Sequence, residues 1–169
     1  ALPLALVVLV ILQAAFGAKI TKTFVARTDR SAYVAAVLTL LARHVIDGPV
    51  PMFPIRAPTP GTGKGLLAAI IGIIGTGRAP AAMTMVDGDE MRKRITALAA
   101  AGTPLVLLDD VSGSLGSGTL ASALTATWWE DRLLGETSIV RLPLRLMWLA
   151  TGNNLGFMRT LGRRVVPID

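Results

Sequence analysis

Hydrophobic and polar positions divide the chain into segments of different period. Ala1–Ala18 carries no charge, and Gln13 is its one strongly polar residue. Thr21–Arg30 is polar and basic and reads as a connector. From Ser31, which can cap a helix, Val34, Val37, Leu38 and Leu41 recur on one helical face through about Val45, and Asp47-Gly48-Pro49 stops it. Met52–Ile55 predicts a first strand, and Leu66–Ile74 predicts a helix ending near Gly75–Gly77. Ala82–Val86 predicts a second strand. A helix over Glu90–Ala101 follows, capped by Asp87 or Asp89, with Met91, Ile95 and Leu98 inward and Gly102 as its stop. Pro104–Leu108 is a short, continuous apolar run, as expected of a central parallel strand buried on both faces. A short helix over Thr119–Thr127 comes next. Trp128–Leu134 and Thr137–Leu142 then flank Gly135-Glu136 as a β-hairpin, with Trp128 and Trp129 expected as core anchors. Leu144–Ala150 is a further strand, and Val165–Ile168 is the last apolar run.

Strands alternating with helices predict an α/β fold: a mainly parallel sheet of about five strands, helices on both faces, and a hairpin insertion. At 169 residues the chain holds one domain with a substantial core. The core is expected over 31–169, with 1–30 as an apolar segment and basic connector. Ala1–Ala18 has the length of a membrane span, and Lys19 and Lys22 follow it. Pro3 and the β-branched Val7, Val8, Val10 and Ile11 suit a buried segment instead, which is the favoured reading. The expected location is cytoplasmic, with a membrane tether through residues 1–18 as the alternative.

Charge and composition narrow the chemistry. A net charge of +6 suits a polyanionic partner but is spread along the chain. Without cysteine there is no disulfide frame and no thiolate metal site. His44 is the sole histidine, near the end of a predicted helix, which argues against a Ser-His-Asp centre. The triplet Arg92-Lys93-Arg94 reads first as a solvated helix face and second as a nucleic-acid contact.

Three motifs carry chemistry. Pro58–Gly65, PTPGTGKG, lies between a predicted strand and a predicted helix, as a phosphate-binding loop does. It departs from G-x-x-x-x-G-K-[ST] at both ends: Pro58 replaces the first glycine, and Gly65 replaces the hydroxyl residue that would face Mg²⁺. Asp109-Asp110 closes the Pro104–Leu108 strand, at the sheet edge where α/β folds bind ligands. One carboxylate there can hold Mg²⁺ through water, and the other can orient an attacking water. Thr151-Gly152-Asn153-Asn154 follows a strand and offers an amide to a γ-phosphate, although Asn-Asn is also a good turn.

The order of phosphate loop, Asp-Asp strand, Thr-Gly-Asn-Asn and a terminal Arg-Arg resembles the AAA+ ATPases and the related superfamily 3 helicases. Ala57–Asp169 looks most like the helicase-like ATPase part of phage and plasmid primase-helicase proteins, which act in DNA replication. The likeness is carried by APTPGTGKGLLA, DEMRKRI, LVLLDDVSGSLG, RLLGETS, ATGNNL and LGRRV, with LTLLARHVIDGPVPMF upstream, over roughly residues 32–169.

The resemblance implies a P-loop NTPase fold of three layers. It implies ATP and Mg²⁺ as cofactors, with Pro60, Gly61, Thr62, Gly63, Lys64, Gly65 and Leu66 around the nucleotide. Lys64 would meet the β- and γ-phosphates. Asp109 would hold the metal, Asp110 would stand where a catalytic glutamate is common, and Asn153, with Asn154 as alternative, would be the sensor. Arg163 or Arg164 would be a finger reaching the ATP of a neighbouring subunit in a homo-oligomeric ring, expected to be a hexamer. Arg132 and Arg141 on the hairpin would grip single-stranded DNA by its backbone. The alternatives are a protein-remodelling AAA+ ATPase and a non-catalytic nucleotide-binding or structural module.

Overall fold

The computed structural model describes residues 24–86, 88–132 and 138–169. The predicted segment Ala1–Ala18 and the hairpin turn at Gly135-Glu136 lie outside them.

Helix α1 spans Arg27–Leu41, four residues ahead of the predicted Ser31 start. Ala26 has no capping side chain. Asp29 reaches back instead, its carboxylate accepting the Ala26 N–H at 2.7 Å. Ser31 lies inside the helix, its hydroxyl donating to the Arg27 carbonyl at 3.3 Å. The helix ends at Leu41, so His44 is exposed in the following turn rather than on a helical end.

Strand β1 (Phe53–Ala57) leads through the glycine loop into α2 (Lys64–Thr76), and β2 is the short Ala82–Met83. Helix α3 runs over Gly88–Ala100, followed by β3 (Leu105–Leu108), β4 (Ser114–Leu115) and α4 (Gly118–Ala123). Ser117 caps α4, accepting the Leu120 N–H at 3.1 Å. The hairpin strands are β5 (Trp128–Arg132) and β6 (Ile139–Pro143); β7 (Met147–Asn153) and β8 (Gly156–Phe157) complete the order.

The main sheet is parallel and four-stranded, in the order β1-β7-β3-β2. The expected fifth strand does not form as a strand of this sheet; Val165–Ile168 runs beside β1 as a ribbon with isolated parallel bridges at Met52–Val165 and Ile55–Ile168. Met52 N–H donates to the Arg164 carbonyl at 2.9 Å, and Arg56 N–H donates to the Ile168 carbonyl at 2.8 Å. Pro54, between them, has no N–H to offer, so the pairing is interrupted. Pro167 sits at the outer edge, where proline is tolerated.

Alternate residues of the strands feed two cores. Phe53, Ile55, Leu105, Leu107, Met147 and Leu149 pack with Val37 and Leu40 of α1 and with Leu67 and Ile71 of α2. Val106, Leu108, Trp148 and Ala150 pack on the other face with Met91 and Ile95 of α3 and Leu120 of α4. The fold is therefore α/β, with helices on both faces of the sheet. Among the described residues no helix is long and apolar enough to cross a membrane.

Two further expectations are corrected. Trp128 and Trp129 do not both anchor the core, because adjacent strand residues face opposite ways. Trp129 turns inward, its indole N–H donating to the Thr96 hydroxyl at 2.9 Å. Trp128 is 50% exposed, with the Arg141 guanidinium 5.0 Å from its ring centroid. The strand expected over Leu144–Ala150 starts at Met147 and continues through Thr151-Gly152-Asn153, with only Asn154 turning away. Its ladder to β1 runs to Ala57↔Asn153, so the neighbouring strand holds these turn-type residues extended.

Candidate functional site

The site lies at the C-terminal ends of β1, β3 and β7. Gly61 and Gly63 hold φ of +74° and +89°, the left-handed region that disfavours side chains, and this lets the loop wrap into α2. Gly63 caps α2, its carbonyl accepting the Leu67 N–H at 3.0 Å. The Lys64 ammonium donates to Asn153 Oδ1 at 2.7 Å, to the Thr59 carbonyl at 3.1 Å and to the Thr62 hydroxyl at 3.2 Å. Pro60, Gly61, Thr62, Gly63, Gly65 and Leu66 are exposed around it. Gly65 opens onto empty space, with no heavy atom within 4 Å of where its Cβ would be.

The two carboxylates are fixed from β7. Thr151, itself buried, donates its hydroxyl hydrogen to Asp109 Oδ1 and accepts the Asp110 N–H at 3.0 Å. Asp109 also extends the ladder to β2, its N–H donating to the Met83 carbonyl at 2.9 Å. Asp110 adopts φ of +50°, uncommon for a non-glycine residue, and both carboxylate residues are exposed. Asn154, at φ of +49°, ties the far side of the loop: its side-chain amide donates to the Pro58 carbonyl at 3.3 Å and its backbone N–H to the Ala57 carbonyl at 3.1 Å. One strand end thus contacts both the glycine loop and the Asp-Asp turn.

Beside the loop is a cleft of about 470 Å³, bordered by Phe24, Val25, Arg56, Lys64, Asn154 and Asp169. The Arg56 guanidinium forks onto the Asp169 carboxylate, with Nε–Oδ1 at 2.6 Å, and lies 5.1 Å from the Phe157 ring centroid. Thr151 and Arg56 escaped the sequence analysis. Thr151 belongs to a turn-type motif that gives no sign of its partners, and the partner of Arg56, Asp169, is distant in sequence.

Among the described residues no group of three or more His, Cys, Asp and Glu side chains could hold a metal. Asp109 and Asp110 form a pair. That donor set fits Mg²⁺ brought in by a polyphosphate and completed by water, since this ion takes only one or two carboxylates in such sites.

The remaining candidates lie elsewhere. Arg163 and Arg164 occupy the turn before the edge ribbon, where the Arg164 carbonyl meets Met52, at the start of β1. They stand at the opposite end of β1 from the glycine loop, outside the Lys64 cluster. The Arg164 guanidinium donates to the Thr160 carbonyl. Arg132 and Arg141 are exposed on the hairpin, and Arg141 also pairs with Glu130 at 3.5 Å.

The basic triplet on α3 is divided among three tasks. Lys93 is exposed, Arg94 pairs with Glu90 at 3.2 Å, and Arg92 pairs with Asp131 of the hairpin. Burial pushes the Asp131 carboxyl up. Hydrogen bonds from the Thr96 hydroxyl and the Arg132 amide, together with the Arg92 charge, outweigh that and hold it below the usual range.

Compared with protein-family models and with curated proteins, the sequence matches none.

Proposed function

We propose that this chain is an ATP-binding and ATP-hydrolysing motor domain, P-loop and AAA+-like in type, that works on DNA in a helicase of phage or plasmid replication. The observation that carries this reading is the convergence of Lys64, Asn153 and the Asp109-Asp110 pair at one sheet edge, around a glycine loop that opens a helix. Polyphosphate binding is the chemistry this arrangement suits. The exposed N–H groups at the start of α2 and the Lys64 ammonium meet phosphate oxygens.

Lys64 donates its hydrogens to Asn153, Thr59 and Thr62. Phosphate oxygens would replace these acceptors, freeing the Asn153 amide to meet the γ-phosphate. The adjacent cleft has room for a nucleoside between Phe24 and the Arg56–Asp169 pair. Asp109 would hold Mg²⁺ through water, and that ion would supply charge neutralisation for the phosphates. Asp110 orients the attacking water. Arg163 or Arg164 would act on the ATP of the next subunit in a homo-oligomeric ring. The hairpin would contact single-stranded DNA through Arg132 and Arg141, by backbone charge and therefore with salt sensitivity. The cytoplasm is the compartment that fits this activity.

A second reading has its own observation. Gly65 offers no hydroxyl, which favours a nucleotide-binding module without turnover. ATP binding and hydrolysis, each with and without single-stranded DNA, for the wild type and Lys64→Ala, separate the readings. DNA-stimulated turnover, with at least a tenfold loss of nucleotide affinity in Lys64→Ala, is expected. Turnover indifferent to DNA moves the assignment to protein remodelling, and ATP binding without turnover moves it to the non-catalytic module. Absence of ATP binding overturns the proposal.

A further inference from the structure

We infer that Thr151 is the positioning residue of the Asp109-Asp110 pair, an inference that rests on the nucleotide-hydrolysing reading above. Three consecutive residues are pinned to this one side chain and its carbonyl. The hydroxyl hydrogen goes to Asp109 Oδ1, the hydroxyl oxygen accepts the Asp110 N–H at 3.0 Å, and the Thr151 carbonyl accepts the Val111 N–H at 2.8 Å. A hydroxyl has one hydrogen to give and lone pairs to accept with, so both side-chain bonds form together.

The consequence for each carboxylate is different. Asp109 has one oxygen held by Thr151, and among the described residues its other oxygen takes no hydrogen bond. The hydroxyl bond restrains the rotamer and leaves the second oxygen of this exposed residue for a water-bridged cation. Asp110 is held at φ of +50°, a conformation its own side chain disfavours, by the bond from its N–H. Release of that N–H lets the residue relax and turns its carboxylate away from a reacting water. Thr151 touches neither phosphate nor water itself; it acts through its two neighbours.

Thr151→Val removes the hydroxyl at almost unchanged shape, and Thr151→Ser keeps it. Mn²⁺ affinity in the presence of ATP, read by electron paramagnetic resonance, is expected to weaken about tenfold or more in Thr151→Val, the usual range for loss of a ligand's supporting hydrogen bond. The kcat should fall by a similar factor. Binding of a fluorescent ATP analogue without metal, which the glycine loop governs, should stay within about twofold, and Thr151→Ser should restore both losses. Should the valine variant not fold, Thr151→Ala carries the same expectation. Wild-type turnover with unchanged Mn²⁺ affinity and kcat in Thr151→Val overturns the inference and leaves the hydrolase reading standing. Equal losses in the valine and serine variants also overturn it. A wild type that binds no ATP overturns both.

Discussion

Asp131 is the bolt between the hairpin and the body of the domain. Its carboxylate meets Arg92 and Thr96 of α3 and also accepts the Arg132 N–H at 2.8 Å. Replacing it by alanine removes a nearly buried anion. The Thr96 hydroxyl is not orphaned, because it also contacts the Arg92 carbonyl at 3.0 Å. Arg92 keeps Asp89 at 3.5 Å, and its side chain is 41% exposed, so water takes over part of the loss. Hydrogen bonds to a charged group contribute about 1.5–3 kcal/mol, and discounting for the exposed partner leaves about 2 kcal/mol for Asp131→Ala. For a domain of this size that is a Tm lower by about 4–8 °C.

The pH dependence gives the prediction a sign. The folded Asp131 carboxyl titrates below its usual value, so its stabilisation is present above the unfolded value of about 3.9 and is lost as pH falls through the folded one. The gap between wild type and Asp131→Ala in urea unfolding should be full at pH 7 and shrink below about pH 4. Glu130→Ala, which breaks only the 3.5 Å pair of two exposed side chains, should cost less than about 0.5 kcal/mol. A gap for Asp131→Ala below about 0.5 kcal/mol, or one undiminished at low pH, would refute the assignment of the anchor to this charge. If the hairpin is the DNA-contacting element, Asp131→Ala also reduces stimulation by DNA while basal ATP turnover persists.

Two further outcomes test the site's construction. Gly152→Ala would drive a Cβ to under 3.0 Å from the Val111 carbonyl oxygen, with Leu155 also close, so it should cost about 2–3 kcal/mol in urea unfolding and lower kcat by displacing the adjacent Asp-Asp turn. Gly65→Ser meets open space, so unfolding should change by less than about 0.5 kcal/mol, while a Mg²⁺ titration of ATP binding should move to lower concentration; no change in that titration would mean the hydroxyl position does not face the metal.

The sequence made some elements legible and concealed others for identifiable reasons. β3 stood out because a strand buried on both faces is apolar at every position, as Leu105–Leu108 is. The end of β7 was hidden because Thr, Gly and Asn favour turns in isolation, and only the ladder to β1 keeps them extended. The start of α1 was missed because its cap comes from Asp29 inside the helix rather than from the residue before it. Nothing in the local sequence sets Arg43 apart from other basic residues. It is buried, and its guanidinium donates to the carbonyls of Ile46, Leu144 and Leu146. Two of those partners lie about a hundred residues away, beyond any local pattern. The glycine loop and the Asp-Asp pair were legible because each is local; that Thr151 joins the pair to β7 was not.

The register that buries the core also builds the site. Leu105 and Leu107 of β3, and Met147 and Leu149 of β7, face the layer that holds α2. Continuing the period of two puts Asp109, Thr151 and Asn153 on that same face, above the core and beside Lys64 at the start of α2. The pairing Leu107↔Leu149, extended by two residues, brings Asp109 opposite Thr151, where the hydroxyl bond forms. The pairing Phe53↔Leu149, followed four residues further, ends at Ala57↔Asn153, where the glycine loop departs and Asn153 receives Lys64. A slip of one residue in β7 would turn Met147 and Leu149 away from α2 and carry Thr151 and Asn153 away from their partners in the same movement. Burial of the strand therefore enforces the geometry of the polar cluster at its end, and the cluster needs no scaffold of its own.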